Sequence, residues 1–447
     1  MAEYSVNTGN INDNIPLSGL LSNAPERAIL VSVDMPGVDW PLLESLNELE
    51  QLATTAGIQC MDRMTQNLAK PHPATLLGSG KVQELAELAR FHNCDAVIFD
   101  LELTPGQHRN LERELEVQVL DRTALILIIF GQRARTREGR LQVELAQVEY
   151  DLPRIARQWS HLSRQRGSTQ QRGEGEKQIE VDRRLLRRQK DRLEEDLEQV
   201  RNQRQLHRER RQHAGPPVIA LVGYTNAGKS TLLNRLASGT HSLAENKLFA
   251  TLDPTTRRVK LAGGQEVLLT DTVGFVQRLP TVLVAAFQAT LEEVAEADLL
   301  IHVVDASHPH VHNQIRAVEQ VLEEIGAGGL PSVVALNKID LLPADMPLQL
   351  QGMSSMLPTV QISAAQGMGI DELLHCISET LIRQFVALDV LIPYDRGELV
   401  AQFHRFGTIE SEEYEEYGTH MRGYIPTNHS GSFTMFQQHP HPKSVRV

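Results

Sequence analysis

The sequence predicts an α/β fold organised around a phosphate-binding loop, and three observations point to it. The apolar run Val218-Ile219-Ala220-Leu221-Val222 leads directly into Gly223-Tyr224-Thr225-Asn226-Ala227-Gly228-Lys229-Ser230-Thr231, which reads as strand, glycine-framed loop and helix. Later strand-like runs end in polar residues at Asp271, Asp305 and Asn337, so chemistry collects at strand ends. Upstream, strand-like and helix-like stretches alternate from Arg27 to Phe99, the mark of a second, smaller α/β domain.

A chain of 447 residues exceeds one ordinary core, and the length suggests about three domains. No apolar run approaches the ~20 residues that span a bilayer, and the N-terminus lacks the basic start and apolar block of a secretory signal; a cytoplasmic protein is expected. Cys60, Cys94 and Cys376 are scattered singles that suggest neither a disulfide framework nor a zinc site. The net charge of −13 disfavours a nucleic-acid partner only if charge is spread evenly along the chain, and it is not.

Residues 1–25 are polar and aperiodic and are expected to form a disordered leader. Residues 26–130 hold the N-terminal α/β domain, with a strand at Ala28–Val33, helices at Leu42–Ala56 and Lys81–His92, and a strand at Ala96–Phe99. Gly78-Ser79-Gly80-Lys81 superficially resembles a second phosphate loop but lacks the six-residue frame, and a glycine-rich helix entry is expected. Asp121 or Thr123 can cap the next helix, which opens on Leu125, Leu127, Ile128, Ile129 and Phe130.

Residues 131–214 read as a helical hairpin. Leu141, Leu145, Val148, Leu152, Ile155, Trp159 and Leu162 recur at alternating steps of four and three, and Pro153 is expected to bend or break the first arm. The second arm, after Ser163–Glu180, carries Leu186, Leu193, Leu197 and Val200. Of the 44 Lys/Arg in the chain, about twenty-one lie here against fourteen Asp/Glu, and Arg164, Arg166 and Arg172 stand among Gly167, Gly173 and Gly175 in the joining loop. A cationic, small-residue tip of this kind suits a polyanionic RNA cavity; the alternative is a solvated face of Glu/Arg pairs.

Residues 217–387 hold the nucleotide motifs. The G-x-x-x-x-G-K-[ST] frame assigns Lys229 to the β- and γ-phosphates and Ser230 to Mg²⁺. Asp271-Thr272-Val273-Gly274 supplies a carboxylate for a Mg²⁺-bound water and, at Gly274, a backbone N–H for the γ-phosphate. In Asn337-Lys338-Ile339-Asp340, the Asp340 carboxylate can accept from both N1–H and the 2-amino group of guanine, and Asn337 is expected to read the far edge of the base. Ser363-Ala364-Ala365 offers a backbone N–H to the guanine carbonyl. The joint order of these motifs implies GTP and GDP as ligands. Phe249-Ala250-Thr251-Leu252-Asp253-Pro254-Thr255-Thr256 is the candidate switch, and residue chemistry alone leaves three threonines eligible as its metal ligand. Phe275 stands where many GTPases place the Gln that orients water, so slow intrinsic hydrolysis is expected.

With these motifs, together with Asp121-Arg122-Thr123 and the run Arg135-Thr136-Arg137-Glu138-Gly139-Arg140-Leu141-Gln142-Val143-Glu144-Leu145-Ala146, the chain resembles HflX-type GTPases from about Arg27 to the C-terminus. The resemblance implies a P-loop GTPase domain, an N-terminal α/β domain carrying a long helical hairpin, and a small C-terminal α+β domain at 388–447. It places the switch metal ligand at Thr251 and implies binding to the large ribosomal subunit through the hairpin, with ribosome splitting in some members. In potassium-activated GTPases, which this loop is similar to, the residue matching Asn226 holds a K⁺ that completes the site. Lys229, Thr251, Gly274 and Asn226 are thus the expected catalytic set, in a chain expected to act as a monomer.

The hairpin loop departs from the family pattern: Glu174 stands where Pro is usual, and a carboxylate near rRNA phosphates is unfavourable. That bears on ribosome splitting and leaves nucleotide binding untouched. A nucleotide-gated RNA- or ribosome-binding module with little turnover is the alternative; an ATPase is disfavoured by Asp340. At the C-terminal end a short strand is expected at Leu391–Tyr394, a helix at Gly397–Phe406, a solvated acidic surface at Glu410–Glu416 and a disordered tail around His439 and His441.

Overall fold

The computed structural model describes residues 25–36, 40–158, 172–212, 216–237, 248–261, 265–277, 283, 288–342, 357–382 and 385–437. The leader, the hairpin-loop residues Arg164, Arg166 and Gly167, the seam residues Trp159 and Leu162, and the His439/His441 tail lie outside these. The chain divides into two compact units, 1–134 with 143–193, and 135–142 with 194–447.

In the first unit, strands β1 (Arg27–Asp34), β2 (Gln59–Asn67), β3 (Ala96–Phe99) and β4 (Gln118–Asp121) form a parallel sheet in the order β2-β1-β3-β4. Ile29, Val31, Val97, Phe99 and Val119 are buried under helices Ser79–Phe91 and Pro105–Leu115, as continuous apolar strands require when both faces are covered. Gly78 is the N-cap of helix Ser79–Phe91, an ordinary helix entry.

Two carboxylates at strand ends of this unit, Asp100 and Asp121, are held by arginine and hydroxyl donors. The Asp100 carboxylate accepts from Ser32 Oγ at 3.2 Å, Ser45 Oγ at 2.5 Å and Arg122 Nη1 at 2.7 Å, and Arg122 also pairs with Glu48. Asp121, not Thr123, caps helix Arg122–Arg133 by accepting from Ala124 N at 2.9 Å. The same carboxylate accepts from Tyr150 Oη at 3.0 Å and Arg154 Nη2 at 3.0 Å. The Asp-Arg-Thr triplet is therefore a structural knot that seats helix Arg137–Gln158.

Of the two outcomes expected at Pro153, a bend or a break, the break does not occur: the helix runs through it. The second arm starts earlier than its apolar residues suggested: helix Arg172–Gln212 spans 41 residues, so the backbones of Arg172, Gly173 and Gly175 belong to its first turn. Lys190 Nζ meets Glu149 at 2.8 Å and ties the two arms together.

In the second unit, β5 (Val218–Val222), β6 (Thr255–Lys260), β7 (Glu266–Asp271), β8 (Leu299–Asp305), β9 (Ser332–Asn337) and β10 (Thr359–Gln361) form a sheet ordered β10-β9-β8-β5-β7-β6. It is parallel except for β6, which runs antiparallel to β7 and lies at one rim, with the three-residue β10 at the other. Leu221, Ile301, Val333 and Ala335 share its core with Leu232, Leu373 and Ile377. Beyond it, β11 (Phe385–Ile392), β12 (Thr408–Glu415) and β13 (Gly418–Pro426) make an antiparallel sheet ordered β11-β13-β12. The expected short strand is thus eight residues long and starts before residue 388, and the acidic stretch at Glu410–Glu416 mostly forms β12 while Glu410, Glu413, Glu415 and Glu416 are exposed, as expected of a solvated surface. Helix Gly397–Phe406 closes this sheet through Phe403, edge-on to Phe433 at 5.5 Å.

His302 in β8 is buried, and burial first, with the Lys229 charge second, lowers its pKa from 6.5 to about 4. A ring kept neutral in the fold and protonated when unfolded costs nothing above pH 6.5. Stability is lost as pH falls from there toward 4, by up to about 3 kcal/mol at one pKa unit per 1.36 kcal/mol. A His302→Gln variant is expected to show a flatter fall of the thermal midpoint across that window; an unchanged slope would assign the acid sensitivity elsewhere.

Among the described residues, no helix is long and apolar enough to cross a membrane.

Candidate nucleotide-binding site

The site forms at the carboxyl ends of β5, β7 and β9, where an open parallel sheet leaves a crevice. Gly223 leaves β5 with φ of +150°, and a Cβ there would lie 2.2 Å from the Val303 carbonyl oxygen, so only glycine can begin this loop. The loop ends as helix Lys229–Leu236 begins, which aims the first N–H groups of the helix into the pocket. Thr225, Asn226, Gly228, Lys229, Ser230 and Thr231 line that pocket, together with Phe249, Ala250, Thr251, Thr272 and Gly274.

Lys229 Nζ donates to the carbonyls of Gly223 and Tyr224, each at 2.9 Å. Burial lowers its pKa from 10.5 to about 8, against the opposing pull of the Asp271 carboxylate. The ammonium is thus held over the loop by acceptors weaker than a phosphate.

Ser230, Thr251 and Asp271 converge. Asp271 Oδ2 accepts from Ser230 Oγ at 2.6 Å and from Thr251 Oγ1 at 2.7 Å, and the two hydroxyls are 3.0 Å apart. Asp271 Oδ1 is buried and, among the described residues, has no hydrogen-bond partner. Three hard oxygen donors with one unpaired carboxylate oxygen are the donor chemistry Mg²⁺ takes. Of the threonines left open by the sequence, Thr251 is at this cluster, whereas Thr255 and Thr256 belong to β6, with Thr256 Oγ1 against Thr270 Oγ1 at 2.9 Å.

Gly274 packs closely: a Cβ there would lie 2.8 Å from Thr225 Cγ2 and 3.0 Å from Lys229 Nζ. Phe275 is buried, and its backbone clamps the phosphate loop, accepting from Thr225 N at 2.7 Å and donating to Gly223 O at 3.1 Å. Tyr224, Ala227 and Val273 support the pocket from within the core, where the Tyr224 hydroxyl accepts from Gln277 N at 2.6 Å.

Asn337, expected to read the base, also ties the site together: with one of its two amide N–H groups Nδ2 donates to Ala227 O at 2.8 Å, and Oδ1 accepts from Ala364 N at 2.9 Å. It thus joins the phosphate loop to the Ser363-Ala364-Ala365 turn. The Ala364 N–H is therefore engaged by Asn337. Leu252 and Asp253 were expected at the nucleotide, yet neither lines the pocket; Leu252 is buried in the core and Asp253 faces the start of helix Arg137–Gln158.

Lys338 and Ile339 carry the turn. Lys338 adopts φ of +65° and its ammonium meets Asp305 at 2.7 Å, while Asp340 sits half-buried in the 3₁₀ turn Ile339–Leu341. Arg235, which sequence reasoning passed over, donates to the carbonyls of Ala364 and Ala365 and braces the turn from the phosphate-loop helix. An arginine six residues after the lysine carries no motif, so nothing in the sequence singled it out.

Family models described as "GTP-binding GTPase N-terminal", "GTP-binding GTPase Middle Region" and "50S ribosome-binding GTPase" match residues 43–131, 133–211 and 218–338. Proteins named GTPase HflX are similar over nearly the whole chain. The one from Lacrimispora saccharolytica is 44% identical, covering 91% of this chain and 95% of its own length. That of Escherichia coli K12 is 44% identical, covering 89% and 92%, and that of Magnetococcus marinus 45%, covering 89% and 92%. Identity on this scale over nearly the whole chain, joined to a pocket that holds the phosphate-loop lysine beside the Ser230–Thr251 hydroxyls, means that this chain is a GTP hydrolase and belongs to the HflX GTPase family.

Proposed function

We propose that this GTPase acts on the large ribosomal subunit as a stress, splitting or recycling factor, and that the subunit supplies what its own site lacks. The observation that carries this reading is Phe275: it is 1% exposed and pinned by its backbone to the phosphate loop, so the place of a water-orienting side chain holds an apolar one. Intrinsic turnover is then slow, and a partner or a monovalent cation completes the site. Asn226, in the loop with φ of +62°, lines the pocket and is the candidate ligand for K⁺.

Lys229 binds the β- and γ-phosphates, the Gly274 N–H meets the γ-phosphate, and Asp340 selects guanine. Ser230 and Thr251 would hold Mg²⁺ with Asp271 behind a metal-bound water, and the ion, when bound, neutralises phosphate charge. The match to the family described as a 50S ribosome-binding GTPase and the basic helical hairpin support the choice of partner.

The test is GTP turnover in potassium buffer with and without purified large ribosomal subunits, with Lys229→Ala as background. At least tenfold stimulation is expected, in line with what completing a transition-state site contributes. GTP binding without stimulation would favour the second reading, a nucleotide-gated binding module, which the same Phe275 motivates.

A further inference from the structure

The segment that bears Thr251 is anchored by a contact outside the nucleotide pocket. Asp253 Oδ2 accepts from the backbone N–H groups of Arg135 at 2.9 Å and Thr136 at 3.0 Å, and its Oδ1 accepts from the Thr136 hydroxyl at 2.5 Å. Thr136 Oγ1 in turn accepts from Gly139 N at 2.9 Å, capping the first turn of helix Arg137–Gln158. Residue 139 must be small for this to happen, because a Cβ there would lie 2.4 Å from Asp253 Oδ1. The carboxylate also brings negative charge to a helix N-terminus, where the peptide dipoles favour it. Residues 135–142 belong to the same compact unit as the site. Three donors and one obligatory glycine make a socket for this one side chain.

Asp253 is two residues from Thr251, a separation of at most about 7 Å along extended chain. Leu252 between them is buried. The three consecutive side chains thus point to three destinations: the Asp271–Ser230 cluster, the core and the helix start. We propose that Asp253 is a positioning residue for GTP hydrolysis: by docking on Arg135 and Thr136 it holds the switch so that Thr251 stays at the metal cluster. Linkage makes the effect reciprocal, so GTP with its metal, by recruiting Thr251, tightens the start of the helical arm. The nucleotide state is thereby communicated to the base of the hairpin.

The proposal rests on the reading of Thr251 as a metal ligand, and the experiment separates the two. Affinities for Mg²⁺-GDP and for a Mg²⁺-bound non-hydrolysable GTP analogue are measured in Asp253→Ala, Asp253→Asn, Thr136→Val and Thr251→Ala variants, together with the Mg²⁺ dependence of turnover. Because GDP lacks the γ-phosphate that the switch senses, Asp253→Ala is expected to leave GDP affinity unchanged. It should weaken the analogue about five- to tenfold, as loss of charge-assisted hydrogen bonds implies, and raise the Mg²⁺ concentration for half-maximal turnover. Asp253→Asn, which keeps an acceptor, should recover part of the loss, and Thr136→Val should add little in the Asp253→Ala background. Equal weakening of GDP and analogue, or of neither, would overturn the proposal and leave Asp253 a purely structural cap. If Thr251→Ala does not lower analogue affinity relative to GDP, the metal-ligand reading fails and the proposal falls with it. If Thr251→Ala lowers it and Asp253→Ala does not, only the anchoring role is refuted.

Discussion

Lys229→Ala is expected to weaken GTP and GDP binding by about two to three orders of magnitude and to reduce turnover to background, the loss seen when a principal charged donor is taken from a preorganised site. The pocket explains the size of the effect. Of its lining residues, Lys229 alone carries a cationic side chain, so no neighbour replaces it. The variant should nonetheless fold. Burial already lowers the lysine pKa to about 8, which means the fold bears a desolvation cost for this ammonium that alanine removes. Gly223 O keeps the Phe275 N–H, so the loop retains its attachment to the strand beside it. Fluorescent-nucleotide titration, with the thermal midpoint measured in parallel, checks both halves. An unchanged affinity would mean that the phosphates sit elsewhere, and a collapsed midpoint would mean that the lysine is chiefly a structural tie.

Asp340→Asn is expected to weaken GTP by about a hundredfold and to shift preference toward xanthosine triphosphate. A carboxylate accepts from N1–H and the 2-amino group together; an amide turns an N–H toward one of these donors and leaves both groups unpaired, which is the kind of mismatch that discriminates strongly. Xanthine carries a carbonyl in place of the 2-amino group and can accept that N–H. The substitution is readable because the loops around the base are held by Asn337, through Ala227 and Ala364, independently of Asp340. Competition among GTP, xanthosine triphosphate and ATP measures the shift. A GTP affinity unaltered by Asp340→Asn would defeat the guanine assignment.

Much of the GTPase sheet and its loops was legible in the sequence because strands there are apolar runs that stop at chemically active side chains, as at Asp271, Asp305 and Asn337. Strands β2 and β4 were not. Gln59-Cys60-Met61-Asp62-Arg63 mixes polar and apolar residues without strict alternation, as suits a rim strand, and β4 is four residues ending in the capping Asp121. The acidic β12 went unread for a related reason: Glu410, Glu412 and Glu413 have low strand preference, and what makes them a strand is the ladder to β13. Helix Arg137–Gln158 continues through Pro153 because packing and the Tyr150–Arg154–Asp121 contacts outweigh one lost hydrogen bond. In the site, motif spacing singled out residues but could not say which of their atoms are engaged within the protein. Asn337 has a polar amide that suits a base edge, and only the geometry shows that it also ties the phosphate loop to the Ala364 turn. Asp253 lies inside a switch motif, yet its partners are more than a hundred positions away in the chain.

The rims of the six-stranded sheet bear on how the chain escapes aggregation. A rim strand offers unpaired backbone groups to any other strand that meets it. Here β6 sets Arg257, Arg258 and Lys260 within six residues, and the opposite rim, β10, offers only three residues to pair with. Two copies approaching through β6 would bring like charges together, so newly made chains at high concentration are guarded against edge-to-edge joining while the rest of the molecule folds.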